Sequence, residues 1–188
     1  MLYNITGIKY SACNFEQHKI RMNIPIYFRG GNTFLSNFYA CRIDAWGHVF
    51  NTVEAAYQSR KCIFYGDVET AEKMLATRTG LQAKYLSKTI REKEHLRAQW
   101  NKQRRSVMTA LVAIKFRDTT LRKRLLNTHP SPLMECVRSR EGFWSMLTYT
   151  GQPGQNVLGQ ILMDRRQFIR EIQTLRETCP DMHSQTRR

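Results

Sequence analysis

The chain has 188 residues, 41% hydrophobic and 11% aromatic, and its 30 Lys and Arg outweigh 15 Asp and Glu for a net charge of +15. Such a composition suits one globular domain with a buried core and excludes a disordered or fibrous chain. No run of about 18 apolar residues is present, which excludes a helical membrane protein, and no basic-then-apolar leader precedes the domain, so a cytoplasmic location is expected.

Residues 1–23 are expected to form an irregular arm, and Ile24–Phe28 reads as a strand ended by Gly30-Gly31-Asn32. Phe38–Asp44 and His48–Phe50 alternate apolar and polar residues across Ala45-Trp46-Gly47, the pattern of a β-hairpin. Thr52 is placed to cap a helix from Val53 to about Ile63, with Val53, Ala56, Tyr57 and Arg60 on one face and Glu54 stacked one turn from Gln58. Two short helices follow over Asp67–Ala76 and Gly80–Leu86. From Glu92 to Phe116, Leu96, Trp100, Val107, Leu111 and Ile114 recur at helical spacing and define one apolar stripe. Thr119 or Thr120 would cap a further helix through Leu126. Pro130-Ser131-Pro132 breaks the chain before a short buried strand, Leu133–Val137. A last helix runs from Val157 to about Thr174, and residues 177–188 form a polar tail. The fold class is therefore α+β and predominantly helical, a single domain over residues 24–176 with a small β-hairpin or sheet.

The positive charge is concentrated. Between Arg91 and Arg124 eleven Lys and Arg face three acids, a segment suited to non-specific contact with nucleic acid or to attraction of phosphorylated ligands. Five scattered cysteines read as free thiols, and five histidines lack ligand spacing, so neither a metal nor another cofactor is expected.

Three clusters carry polar chemistry. Ser36 and Asn37 lie between aromatics in Phe34–Tyr39, and Glu54 stands in the first turn of a helix among apolar residues. Glu141 and Trp144 precede a loop punctuated by Gly151, Pro153, Gly154 and Gly159, which leads into the last helix. Glycine beside a helix start lets backbone approach a ligand, and free N–H groups there attract an anion, so the loop is expected to wall a phosphate or sugar pocket. Two carboxylates, two indoles and a basic field together suit cleavage of an N-glycosidic bond. One carboxylate stabilises an oxocarbenium-like sugar and orients water, while a second, its pKa raised by burial, protonates the departing nitrogen.

The ordered blocks FLSNFY, NTVEAAYQSRK, AQW with VMTALVAIKF, EGFW and GQPGQNVLGQILMDRR resemble the NADAR (YbiA-like) superfamily over roughly Tyr27 to Gln173. The resemblance implies a mostly helical α+β domain and an N-glycoside hydrolase. Some members cleave phosphoribosylamino-pyrimidine intermediates of riboflavin synthesis, releasing ribose 5-phosphate; others remove ADP-ribose from guanine in nucleic acid. It implies that Glu54 is the catalytic carboxylate and Glu141 the second acid, where the family has aspartate. Ser145 replaces a family glycine, and Ala55 a family histidine. On this reading Trp100 and Trp144 clamp the base, Ser36, Asn37 and Asn156 bond the sugar or phosphate, and Gly154 and Gly159 shape the wall. The partner is then a phosphorylated ribosyl small molecule or ADP-ribosylated nucleic acid. A non-catalytic module binding nucleic acid or ADP-ribose is the alternative, marked by the altered EGFWS block.

Overall fold

The structure, a computed structural model, describes residues 24–139 and 142–178. Its elements are β1 (Ile26–Phe28), β2 (Ile43–Ala45), β3 (His48–Phe50), α1 (Val53–Tyr65), α2 (Val68–Leu75) and α3 (Gly80–Leu86), with a 3-10 turn over Ser87–Thr89. There follow α4 (Glu94–Lys115), α5 (Thr119–Leu126), β4 (Leu133–Glu135), β5 (Arg138–Ser139), β6 (Leu147–Thr148) and α6 (Val157–Thr178). This is the helix-dominated α+β arrangement that the residue pattern predicts. The strands form three separate pairs: β1 parallel to β4, β2 antiparallel to β3, and β5 parallel to β6. The expected arm over residues 1–23 lies outside the described residues, as does most of the polar tail. Among the described residues no helix is long and apolar enough to cross a membrane.

Helix boundaries follow local chemistry. Thr52 is extended, and its hydroxyl accepts the Ala55 N–H at 3.1 Å, a cap of the kind worth about 1 kcal/mol. Gly66, at φ 76°, ends α1 by donating its N–H back to Cys62 and Ile63. The cap of α5 is Asp118 and not Thr119 or Thr120: its carboxylate accepts the Leu121 N–H at 2.8 Å, and a negative group suits the helix start better than a hydroxyl. The hairpin is shorter than predicted. Ser36 turns the chain by accepting the Phe38 N–H at 3.1 Å, and Phe38–Arg42 runs on as irregular backbone.

α1 is the centre of the molecule, packed by α2, α3 and α4, and its first two turns are buried on all sides. Arg60, expected to share a face with Val53, Ala56 and Tyr57, is exposed and lies over the Trp46 ring. α4 packs against both α1 and α6, so its buried face is wider than a single stripe. That face comprises Trp100, Met108, Leu111, Val112 and Lys115, while Leu96, Val107 and Ile114 are half-buried at its edge. Burying polar Glu54 and Gln58 inside α1 is the departure from ordinary core chemistry, because such groups are costly away from water unless they are paired.

Candidate active site

Glu54 is 6% exposed. Its carboxylate accepts a hydrogen bond from the Gln58 amide at 2.9 Å, one helical turn on, and the Lys84 ammonium of α3 lies 3.8 Å away. The Glu54 N–H donates to the Asn37 carbonyl at 3.0 Å, tying the start of α1 to the Ser36-Asn37 loop. That loop is anchored in turn by Lys115, a buried lysine at the end of α4 whose ammonium donates to the Ser36 carbonyl at 2.7 Å. Burial pushes the Lys115 pKa down to about 8.

Beside Glu54 opens a cavity of about 640 Å³, a volume suited to a small-molecule ligand. Asn37 and Phe38 line one side, with Tyr57, Gln58 and Met108 from the helices. Glu135, Trp144 and Ser145 line the other, and exposed Tyr149 stands at the rim.

Glu135 is the residue that sequence reasoning missed. It ends β4, and its pKa is raised to about 8, first by burial and then by the negative charge of Glu54, with Lys84 opposing. Two carboxylates thus line one cavity, and the second is a carboxylic acid at neutral pH. Its backbone is fixed on both sides: the Glu135 N–H donates to the Asn156 side-chain oxygen at 3.0 Å, and the Glu135 carbonyl accepts the Met146 N–H at 2.9 Å. A signal was present. Side chains alternate along a strand, so a buried strand that turns Leu133 inward turns Glu135 the same way.

The expected site residues fare unequally. Glu54, Asn37 and Trp144 line the cavity, and Tyr57 meets the Trp144 ring edge-on at 5.6 Å. Glu141 lies outside the described residues. Trp100 does not line the cavity; it is 3% exposed and packs behind Tyr57 against Phe64 and Tyr65. Ser36 is spent on its own turn and is not among the lining residues.

The glycine loop is a support and not a pocket wall. The N–H groups of Gln155, Asn156, Val157 and Leu158 already bond the carbonyls of Gly142, Ser145, Phe143 and Trp144, so the start of α6 has none of these to offer an anion. Asn156, in the left-handed region at φ 51°, bonds the Glu135 N–H and, at 2.9 Å, the Leu133 carbonyl. Gly154 and Gly159 are glycine because backbone crosses there. A Cβ on Gly154 would lie 2.2 Å from the Ser145 carbonyl oxygen, and one on Gly159 would lie 2.1 Å from that of Leu133. Glycine permits close approach here, but what approaches is backbone and not a ligand: the Gly142–Met146 segment at Gly154 and strand β4 at Gly159.

Comparison with known proteins agrees with this fold. The family model described as the NADAR domain matches residues 27–170. Among solved structures, the NMR structure of the E. coli protein YbiA superposes with a TM-score of 0.66 at 25% sequence identity, over 81% of this chain and 88% of that one. No curated protein gives a significant match.

Proposed function

This chain belongs to the NADAR domain family, broadly of N-glycosidase type, and on that premise we propose that it hydrolyses the C1–N bond of a phosphorylated ribosyl N-glycoside. The observation that carries this reading is the pairing in one cavity of Glu54 with Glu135, whose proton is retained to about pH 8. Glu135 gives that proton to the departing nitrogen as the C1–N bond breaks. The Glu54 carboxylate stabilises the oxocarbenium-like sugar. A water adds to C1 and surrenders its proton to the Glu135 carboxylate, which restores the starting state. Trp144 and Tyr57 supply aromatic faces for the heterocycle, and Lys84 supplies a cation for the phosphate. Glu135 thereby takes the acid role first expected of Glu141.

The substrates favoured by the resemblance are phosphoribosylamino-pyrimidine intermediates of riboflavin synthesis, with ribose 5-phosphate as product. Mass spectrometry on a panel of N-ribosides tests this. Release of ribose 5-phosphate supports the reading, release of free ADP-ribose from modified guanine moves the substrate to nucleic acid, and no product from any member leaves only a binding module.

A further inference from the structure

The basic segment from Arg91 to Arg124 does not behave as one surface. Its first part is partly paired within the fold: Arg91 pairs with Asp67 at 2.7 Å, Arg97 with Glu94 at 2.8 Å, and Arg105 approaches Asp164 at 3.6 Å. Lys115 is buried, and Arg124 lies over the Phe34 ring at 4.2 Å. At the corner where the end of α4 meets α5 and α6 the pattern changes. Arg122 reaches back to donate to the Arg117 carbonyl at 2.7 Å, and Arg165 arrives from α6, a helix outside the basic segment. Among the described residues none of these three has an ion-pairing carboxylate. Asp118, next to Arg117, is engaged in capping α5, and Asp164, next to Arg165, faces Arg105 at 3.6 Å.

The cluster is held at a cost. Arg122 and Arg165 are half-buried, and the Nε atom of each is enclosed without a hydrogen-bond partner. Burial first, then the charges of Arg122 and Arg117, push the Arg165 pKa below the usual guanidinium value. Unpaired, partly desolvated like charges are unfavourable unless an anion neutralises them. Next to them Phe168 is 52% exposed with the Arg165 guanidinium 5.3 Å from its ring centre.

We propose that Arg117, Arg122, Arg165 and Phe168 form a docking site for single-stranded nucleic acid, separate from the cavity. The guanidinium forks take consecutive backbone phosphates, and the Phe168 ring stacks on an unpaired base. The acids flanking this site on α6, Asp164 and Glu171, are exposed and confine it to a narrow track, which suits one strand better than a broad anionic membrane.

The test is fluorescence anisotropy with a labelled single-stranded 20-mer across a salt series. It compares the full chain, R117Q/R122Q/R165Q, and a charge-matched control, R42Q/K73Q/R97Q. Counterion release predicts that the corner variant weakens binding at least about tenfold near 0.1 M salt and flattens the log–log salt slope by about 2, whereas the control shifts affinity by less than about threefold. Phe168→Leu is expected to lose roughly fivefold or more with the slope unchanged, because stacking releases no counterions. R117Q alone, at an exposed position, keeps the test open if the triple variant does not fold; it should flatten the slope by roughly 0.7. Equal losses in corner and control variants overturn the proposal, as do tighter binding to phosphatidylserine vesicles than to the 20-mer, or no binding at all.

Discussion

The cavity and the α4–α5–α6 corner are both places where like charges meet, and the fold treats them in opposite ways. In the cavity Glu54 and Glu135 are turned inward, with Lys84 beside them, and the conflict is relieved by a proton kept on Glu135. At the corner three guanidiniums cannot shed protons at any ordinary pH, and the conflict is left to solvent ions or a bound anion. Burial converts repulsion into a pKa shift, and partial exposure converts it into salt dependence. One region should therefore respond to pH and the other to ionic strength.

The largest effect is expected for Glu54→Gln, which keeps the shape but removes the charge that stabilises the sugar cation. Its kcat/KM should fall by about two orders of magnitude or more while the melting temperature stays within a few degrees. Retained turnover would place the chemistry elsewhere. Next comes Gly159→Ala, which drives a Cβ to within 2.1 Å of the Leu133 carbonyl oxygen. A loss of roughly 2–3 kcal/mol in chemical denaturation is expected from overpacking of that kind. A smaller but separable effect distinguishes the indoles. Trp144→Leu should raise KM by about tenfold through lost stacking, whereas Trp100→Phe should lower stability and spare KM, because Trp100 sits behind Tyr57 and not in the cavity. Reversed behaviour would restore Trp100 as the base clamp.

The stability effect of pH is subtler, and its sign is fixed. The pKa of Glu135 rises on folding from an ordinary 4.5 to about 8, so between those values the folded chain binds more protons than the unfolded one. Its contribution is fully present below about pH 4.5 and is lost as pH rises through 8. Glu135→Gln cannot ionise, so the variant should gain in melting temperature relative to the parent as pH is raised from 5 to 9. A constant difference across that range would mean that Glu135 ionises as an ordinary surface carboxylate.

Much of the fold was legible because periodicity and caps report local physics. The Thr52 cap, the Glu54–Gln58 stacking and the start of α6 at Val157 follow from spacing alone. What spacing does not carry is partnership across the chain. In the sequence Glu135 is the middle residue of an expected buried strand, Leu133–Val137, and its meaning comes only from Glu54, eighty-one positions earlier, lining the same cavity. Glycines at 154 and 159 point to close approach, but that backbone and not a ligand approaches follows only from tertiary packing against Ser145 and Leu133. The basic segment likewise looks continuous in sequence, since two of the acids that meet its first part, Asp67 and Asp164, lie on other elements.

The pairing of Glu54 with a protonated Glu135 is tested most directly by the pH dependence of kcat/KM for ribose 5-phosphate release, measured for the parent chain and Glu135→Gln. The expected result is a parent profile whose alkaline limb falls near pH 8, and a variant that is at least about a hundredfold slower at neutral pH and has no such limb. A variant that matches the parent in both rate and profile would contradict the account.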